Sequence, residues 1–254
     1  MNHIKAIGFD LFNTLIAGEP SAIREAVSRL IRTLRQNDLD IEPEAFVQAH
    51  RDAAMRFIRE TRSNGRETHN SFWISAALET LGFSVPPDDV RISRGVDAYF
   101  SAFLQNCRLI PGTREMLETI RGQYRLGLLS NFTHAPAARQ IIEALGLTPF
   151  FDTVIISGDI GYCKPNPLVF QRLIDQLGVE KSQALYVGDD VNADIAGARL
   201  AGLQPVWMTY TLDKDVPPPP GIPSEAVDEP DSTVPRVSNW EAFLALLDGE
   251  RRGA

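Results

Sequence analysis

The sequence predicts an α/β protein, a parallel sheet with covering helices, interrupted after its first strand by an all-helical insertion. Three observations carry that reading. Short, continuously apolar runs recur along the chain, as strands buried on both faces require. Amphipathic helical patterns separate the later runs, so consecutive strands connect through right-handed crossovers. Residues 21–106 show helical periodicity but no convincing strand. The chain has 254 residues, 44% of them hydrophobic, which suffices for a sizeable core and excludes a small disulfide-stapled module.

The first strand is expected over residues 4–10, an apolar run that includes Ile7 and Phe9 and ends in the carboxylate of Asp10. Four helices follow at 21–36, 43–62, 71–81 and 88–104. Further strands are expected at 125–130 (RLGLLS), 153–157 (TVIIS), 184–188 (ALYVG) and 204–209 (QPVWMT). Between and before them lie helices at 112–121, 136–145, 167–177 and 191–201, each closed by a nearby glycine. Seven prolines in 216–235 rule out an ordinary helix there and suggest an extended surface connection. A short terminal helix, 240–247, closes the chain.

Composition narrows the function. The formal charge of −8 argues against nucleic acid as a partner, because phosphate backbones need a dense positive footprint. No stretch is long and apolar enough for a membrane span, and the N-terminus lacks a signal-peptide pattern. Two distant cysteines, Cys107 and Cys163, suit a reducing compartment; a cytoplasmic protein with a small-molecule substrate is the expectation.

Polar residues gather at the carboxyl ends of four expected strands, where open parallel sheets bind ligands. They are Asp10 to Thr14, Ser130 with Asn131, Lys164 with Pro165, and Asp189, Asp190 and Asp194. Singly, each has a bland explanation as a cap, turn former or surface charge. Jointly they bring a nucleophile candidate, a hydroxyl, a fixed cation and a carboxylate cluster to one edge. Four acidic side chains against the one Lys164 call for a further cation, and hard oxygen ligands suit Mg²⁺.

With these residues the sequence resembles the haloacid dehalogenase superfamily over almost its whole length. Asp10 to Thr14 is similar to the first motif, Ser130 to the second, Lys164-Pro165 to the third, and Asp189 with Asp194 to the fourth. The resemblance implies a Rossmann-like doubly wound core, residues 1–16 and 107–254, carrying a helical cap over 17–106. It also implies a Mg²⁺-dependent phosphohydrolase in which Asp10 attacks phosphorus to give an aspartyl-phosphate. Asp10, the backbone carbonyl of Phe12 and Asp189 are then the metal ligands, with Asp190 and Asp194 nearby. Thr14, Ser130 and Asn131 would meet the phosphoryl oxygens and Lys164 would neutralise them.

The resemblance breaks at Phe12. Phosphatases of the superfamily carry there an Asp that moves a proton to the leaving alcohol, and a phenyl ring cannot. Poor leaving groups are therefore expected to turn over slowly. An aromatic residue at this position looks more like the metal-free 2-haloacid dehalogenases, the rival reading. Those enzymes carry Ser and Asn in the fourth motif and a Tyr six residues after the Lys, where this chain has carboxylates and Phe170. A third class is a binding or regulatory protein with little catalysis.

Other residues carry weaker signals. His3, His50, His69 and His134 show neither zinc spacing nor a triad, and Cys163 reads as packing. Arg32, Arg35, Arg56 and Arg59 could supply the Arg that cradles halide or carboxylate in the dehalogenases, but their helical spacing reads first as a solvated face. Phe72, Trp73, Tyr99, Phe100 and Phe103 read as core of the insertion, some of them able to face a substrate.

Overall fold

The computed structural model describes residues 3–214, 216 and 229–252. Six parallel strands form one sheet in the order β5 (Thr153–Ile156), β4 (Arg125–Ser130), β1 (Ala6–Phe9), β6 (Ala184–Gly188), β7 (Gln204–Met208) and β8 (Arg236–Val237). β1 lies at the centre, with Ala6 opposite Arg125 on one side and Ala184 on the other. All four of its residues are buried, which is why the run is apolar without alternation.

Helices cover both faces. α5 (Thr113–Ile120), α6 (Ala135–Ala144) and α11 (Trp240–Arg252) pack on one side, where Phe9 meets Trp240 and Phe243 edge-on, each at 6.0 Å between centroids. Such ring pairs add about 0.5–1.5 kcal/mol each beyond the area they bury. α8 (Pro167–Leu177) and α9 (Gly197–Ala201) pack on the other through Val169, Phe170, Leu173 and Ala198. The fold is thus the expected doubly wound α/β sheet.

The helical insertion comprises α1 (Ala22–Gln36), α2 (Pro43–Asn64), α3 (Asn70–Thr80) and α4 (Val90–Asn106). Local chemistry sets their starts. The Glu42 carboxylate accepts from Glu44 N at 3.1 Å and Ala45 N at 2.6 Å with Pro43 in the first turn, and Asp89 accepts from Arg91 N at 2.8 Å. The insertion has its own apolar cluster, including Leu30, Phe46, Ile74 and Ile92, which reaches Ala137 of α6.

Two strands that periodicity did not reveal join the ends of this insertion. β2 (Ile16–Gly18) and β3 (Cys107–Leu109) pair antiparallel, Gly18 facing Cys107. At three residues each they are too short to show a period. β8 and the single-turn helices α7 (Ser157–Ile160) and α10 (Tyr210–Asp213) were missed for the same reason. The expected proline-rich connection, 216–235, lies mostly outside the described residues; its end is tied down where the Trp207 N–H donates to the Pro235 carbonyl at 2.9 Å.

Candidate active site

The strand order brings the sequence motifs to one edge. Asp10 follows β1, Ser130 ends β4 with Asn131 next, Lys164 lies in the loop beyond α7, and Asp189 follows β6. The Lys164 ammonium is the hub. It donates to Asp10 Oδ1 at 2.5 Å, to Asp194 Oδ1 at 2.7 Å and to the Tyr186 hydroxyl at 3.1 Å, all in a buried setting. Its backbone is gripped by Asn131, whose Oδ1 accepts from Lys164 N at 2.8 Å and whose Nδ2 donates to Lys164 O at 3.0 Å. Asn131 therefore positions the lysine, a use the sequence reading did not foresee beside phosphoryl binding.

Tyr186 is a further site residue that sequence reasoning missed, because in ALYVG it reads only as an apolar strand residue. Its hydroxyl donates to the Leu129 carbonyl at 3.0 Å, leaving its oxygen to accept from Lys164. Gly8 on the neighbouring strand makes this possible: a Cβ there would lie 2.7 Å from the Tyr186 ring and 2.8 Å from Leu173.

The acidic cluster is sharper than its sequence. Asp10, Asp189 and Asp194 each bring an oxygen within 4.8 Å of the others. Asp190 turns away, exposed, and its Oδ1 accepts from Asn192 N and Ala193 N, both at 2.8 Å. The expected helix 191–201 opens as a π-helical turn, Val191–Ala196, with Ile195 N reaching back five residues to Asp190 O at 3.1 Å. This turn aims Asp194 at Lys164, while Asp194 Oδ2 accepts from Asp190 N at 3.0 Å.

The electrostatics follow. Burial alone would lower the Lys164 pKa, but Asp10 and Asp194 outweigh it and hold the ammonium well above its ordinary value. Burial pushes Asp194 up to about 7 against the pull of Lys164. Asp189 is driven well above the carboxylate range by burial, then by repulsion from Asp10, Asp194 and Asp190. Lys164 partly offsets this shift, and Thr14 Oγ1 donates to the carboxylate weakly at 3.4 Å. Three converging carboxylates, two of them on the one ammonium, form a hard-oxygen donor set that fits Mg²⁺ beside Asp189 and Asp10.

Phe12 stands at the rim. Asn13 after it takes a left-handed conformation, φ 60°, within a tight turn closed by Asn13 N to Ile16 O at 2.6 Å and Ile16 N to Leu11 O at 3.0 Å. The Phe12 ring stacks on Phe132 with 5.3 Å between centroids. Phe12, Asp189 and Asn131 line a cavity of about 1810 Å³ that continues between the sheet edge and the insertion.

A family model described as haloacid dehalogenase-like hydrolase matches residues 4–202. The chain is a haloacid dehalogenase-like hydrolase. It is 32% identical over 211 residues to the ribulose-1,5-bisphosphate 5-phosphatase of Halopiger xanaduensis, covering 83% of this chain and 87% of the relative. It is 31% identical to the glyceraldehyde 3-phosphate phosphatase of Pyrococcus abyssi, with 82% of each chain covered. A 2-haloacid dehalogenase structure from Pseudomonas syringae pv. Tomato superposes with a TM-score of 0.70 at 25% identity, over 99% of this chain and 100% of that one.

Of the remaining candidates of this hydrolase, Phe72 is 49% exposed and not core of the insertion, while Trp73, Tyr99, Phe100 and Phe103 line the cavity. Cys163 is buried and its thiol is pushed up to about 12, first by burial and then by Glu67, so it packs rather than reacts. The insertion and sheet also meet through a loop, residues 65–67, that carries no recognisable motif. Cys163 N donates to Gly65 O at 3.1 Å, Glu67 N to Gly161 O at 3.0 Å, and Ser157 Oγ to the Glu67 carboxylate. Burial raises the Glu67 pKa. No helix among the described residues is long and apolar enough to cross a membrane.

Proposed function

We propose that this hydrolase is a Mg²⁺-dependent phosphohydrolase acting on a small phosphorylated metabolite through an aspartyl-phosphate on Asp10. The observation that carries the reading is the imbalance of three converging carboxylates against one ammonium, which pairs with Asp10 and Asp194 and leaves Asp189 without an ion pair among the described residues. Phosphatase relatives over four-fifths of the chain support the same reaction class. Asp10, the Phe12 carbonyl and Asp189 would hold the ion with Asp194 beside them, whereas the Asp190 carboxylate, expected nearby, is turned away to cap the following turn; the ion would supply positive charge to the phosphoryl oxygens.

The chain's own residues divide the work. A free Asp10 oxygen attacks phosphorus in line. Ser130 and Thr14 donate to phosphoryl oxygens, Asn131 supporting them while it fixes Lys164, and Lys164 offsets charge on the transferring group. Water then releases phosphate and restores Asp10. The helical segment 17–106 acts as a cap over this site on the core formed by 1–16 and 107–254. Phe12 offers no proton, so poor leaving groups turn over slowly. The two unpaired cysteines fit a reducing, cytoplasmic setting.

The test is phosphate release from acetyl phosphate with Mg²⁺ or EDTA, using Asp10→Asn as the blank. Release that depends on Mg²⁺ and vanishes in the blank is expected. Equal release by the blank removes Asp10 as nucleophile, and halide release from 2-chloropropionate in EDTA favours the dehalogenase chemistry instead.

A further inference from the structure

The residue that removes the proton donor also begins an aromatic wall. The Phe12 and Phe132 rings are parallel within 3°, and Phe132 meets Phe100 at 5.1 Å. Phe100 packs edge-on against Tyr99 at 5.0 Å, and Phe103 meets Phe132 edge-on at 6.1 Å. These rings line the cavity that begins at Asp189. Offset and edge-on surfaces of this kind hold a further ring better than an aliphatic chain.

The cavity lining also carries charged side chains such as Arg32, Arg35 and Arg51, and on α3 it holds two buried, uncharged polar side chains without partners. Asn70 is 1% exposed, and neither its Nδ2 nor its Oδ1 has a hydrogen-bond partner. Trp73, three residues on and therefore on the same helix face, has an unpartnered buried Nε1. Both residues line the cavity. Buried donors and acceptors left unpaired are costly, so a ligand that pairs them gains accordingly. Both side chains are uncharged, which suits a neutral hydroxyl or amide substituent.

Building on the phosphohydrolase reading, we propose that the cavity takes an aromatic leaving group, making aryl phosphate monoesters the preferred substrate class. An Asp10 oxygen forms the bond to phosphorus as the bond from phosphorus to the aryl oxygen breaks. The electron pair departs on that oxygen as a phenolate, which needs no proton from the enzyme. Water attacks the aspartyl-phosphate, the Asp10 carboxylate is regenerated, and the two protons of water end on phosphate and on the phenolate in solvent. An alkoxide lacks this route, and Phe12 cannot supply the proton.

Ring recognition is separated from leaving-group ability with two non-hydrolysable probes, phenylphosphonate and methylphosphonate. Each is measured as a competitive inhibitor of acetyl phosphate hydrolysis by the full chain with Mg²⁺. The phenyl probe is expected to bind about tenfold tighter. Trp73→Leu should collapse that ratio, whereas Trp73→Phe, which keeps a ring, should retain most of it. Equal inhibition by the two probes in the parent protein, or a ratio unchanged in Trp73→Leu, overturns the proposal. Failure of acetyl phosphate hydrolysis overturns the underlying phosphohydrolase reading instead, and the probes are then compared by calorimetry, where equal affinities reject the ring site on their own.

Discussion

His69 Nε2 and His134 Nδ1 lie 3.0 Å apart and join the start of α3 to the start of α6, so an imidazole pair spans the boundary between insertion and sheet. His134 also stacks on Phe100 at 4.9 Å. Burial lowers both pKa values; His134 lowers His69 further, while Asp97 partly opposes the shift at His134. His50, buried beside Phe46, is pushed down to about 4 by burial.

The sign of the pH dependence follows. Each of these histidines binds protons more readily unfolded, near pH 6.5, than folded. Their contribution is complete above that value and is lost as pH falls toward each folded pKa. For His50 the window runs from 6.5 to about 4, a loss on the order of 3 kcal/mol. Urea unfolding from pH 7.5 to 4.5 should show declining stability, with a shallower slope in His50→Phe. Parallel slopes would remove His50 from the account.

Phe12→Asp should raise kcat/KM for ethyl phosphate by about 10²- to 10⁴-fold, the usual value of a positioned acid or base. Acetyl phosphate, whose leaving group needs little protonation, should change far less. Steady-state kinetics on both substrates decide it, and an unchanged ethyl phosphate rate counts against the missing-acid argument.

Lys164→Met strips the buried carboxylates of Asp10 and Asp194 of their shared cation. Removing one member of a buried ion pair costs about 3–5 kcal/mol, because the other charge is left uncompensated. The loss should appear in urea unfolding at pH 8 and shrink at lower pH, where the carboxyls protonate. A constant deficit across pH would point to packing rather than charge.

Gly188→Ala tests the geometry that aims Asp194. A Cβ at Gly188 would press into the Asp194 carboxylate, which is held by Lys164 and the Asp190 N–H and cannot retreat. Activity should fall at least about a hundredfold, as misplacement at a catalytic centre typically causes, with secondary structure retained by circular dichroism. Full activity would show that Asp194 has room to move.

Adding Mg²⁺ at a hundredfold excess over Kd should stabilise the fold through mass action by about 2.7 kcal/mol, read as a rise in melting temperature. Asp189→Asn should abolish most of that rise. An equal rise in the variant would locate the ion elsewhere.

How legible this molecule is depends on the length of each signal. Strands such as ALYVG and helices such as Pro167–Leu177 declare themselves because their apolar residues are consecutive or periodic over whole elements. β2 and β3 carry no such signal, since three residues cannot express a period. At the site, charge type was readable but direction was not. Gly188-Asp189-Asp190 does not say which carboxylate caps the helix and which joins the cluster, because the π turn that aims Asp194 at Lys164 has no signature in the apolar pattern. Tyr186 was invisible for a related reason: its role exists only where Gly8 leaves space on the adjacent strand.

The contacts of residues 65–67 tie two processes into one. Arg66 bridges to Tyr162, and Gly65 and Glu67 bond the chain on either side of it, two residues or fewer from the start of the Lys164 loop. Any departure of the helical segment from the sheet must strip those bonds and pull on the stretch of backbone that carries the ammonium. The contacts that fasten the helical segment to the sheet and the backbone that presents the ammonium are thus one short strip of chain.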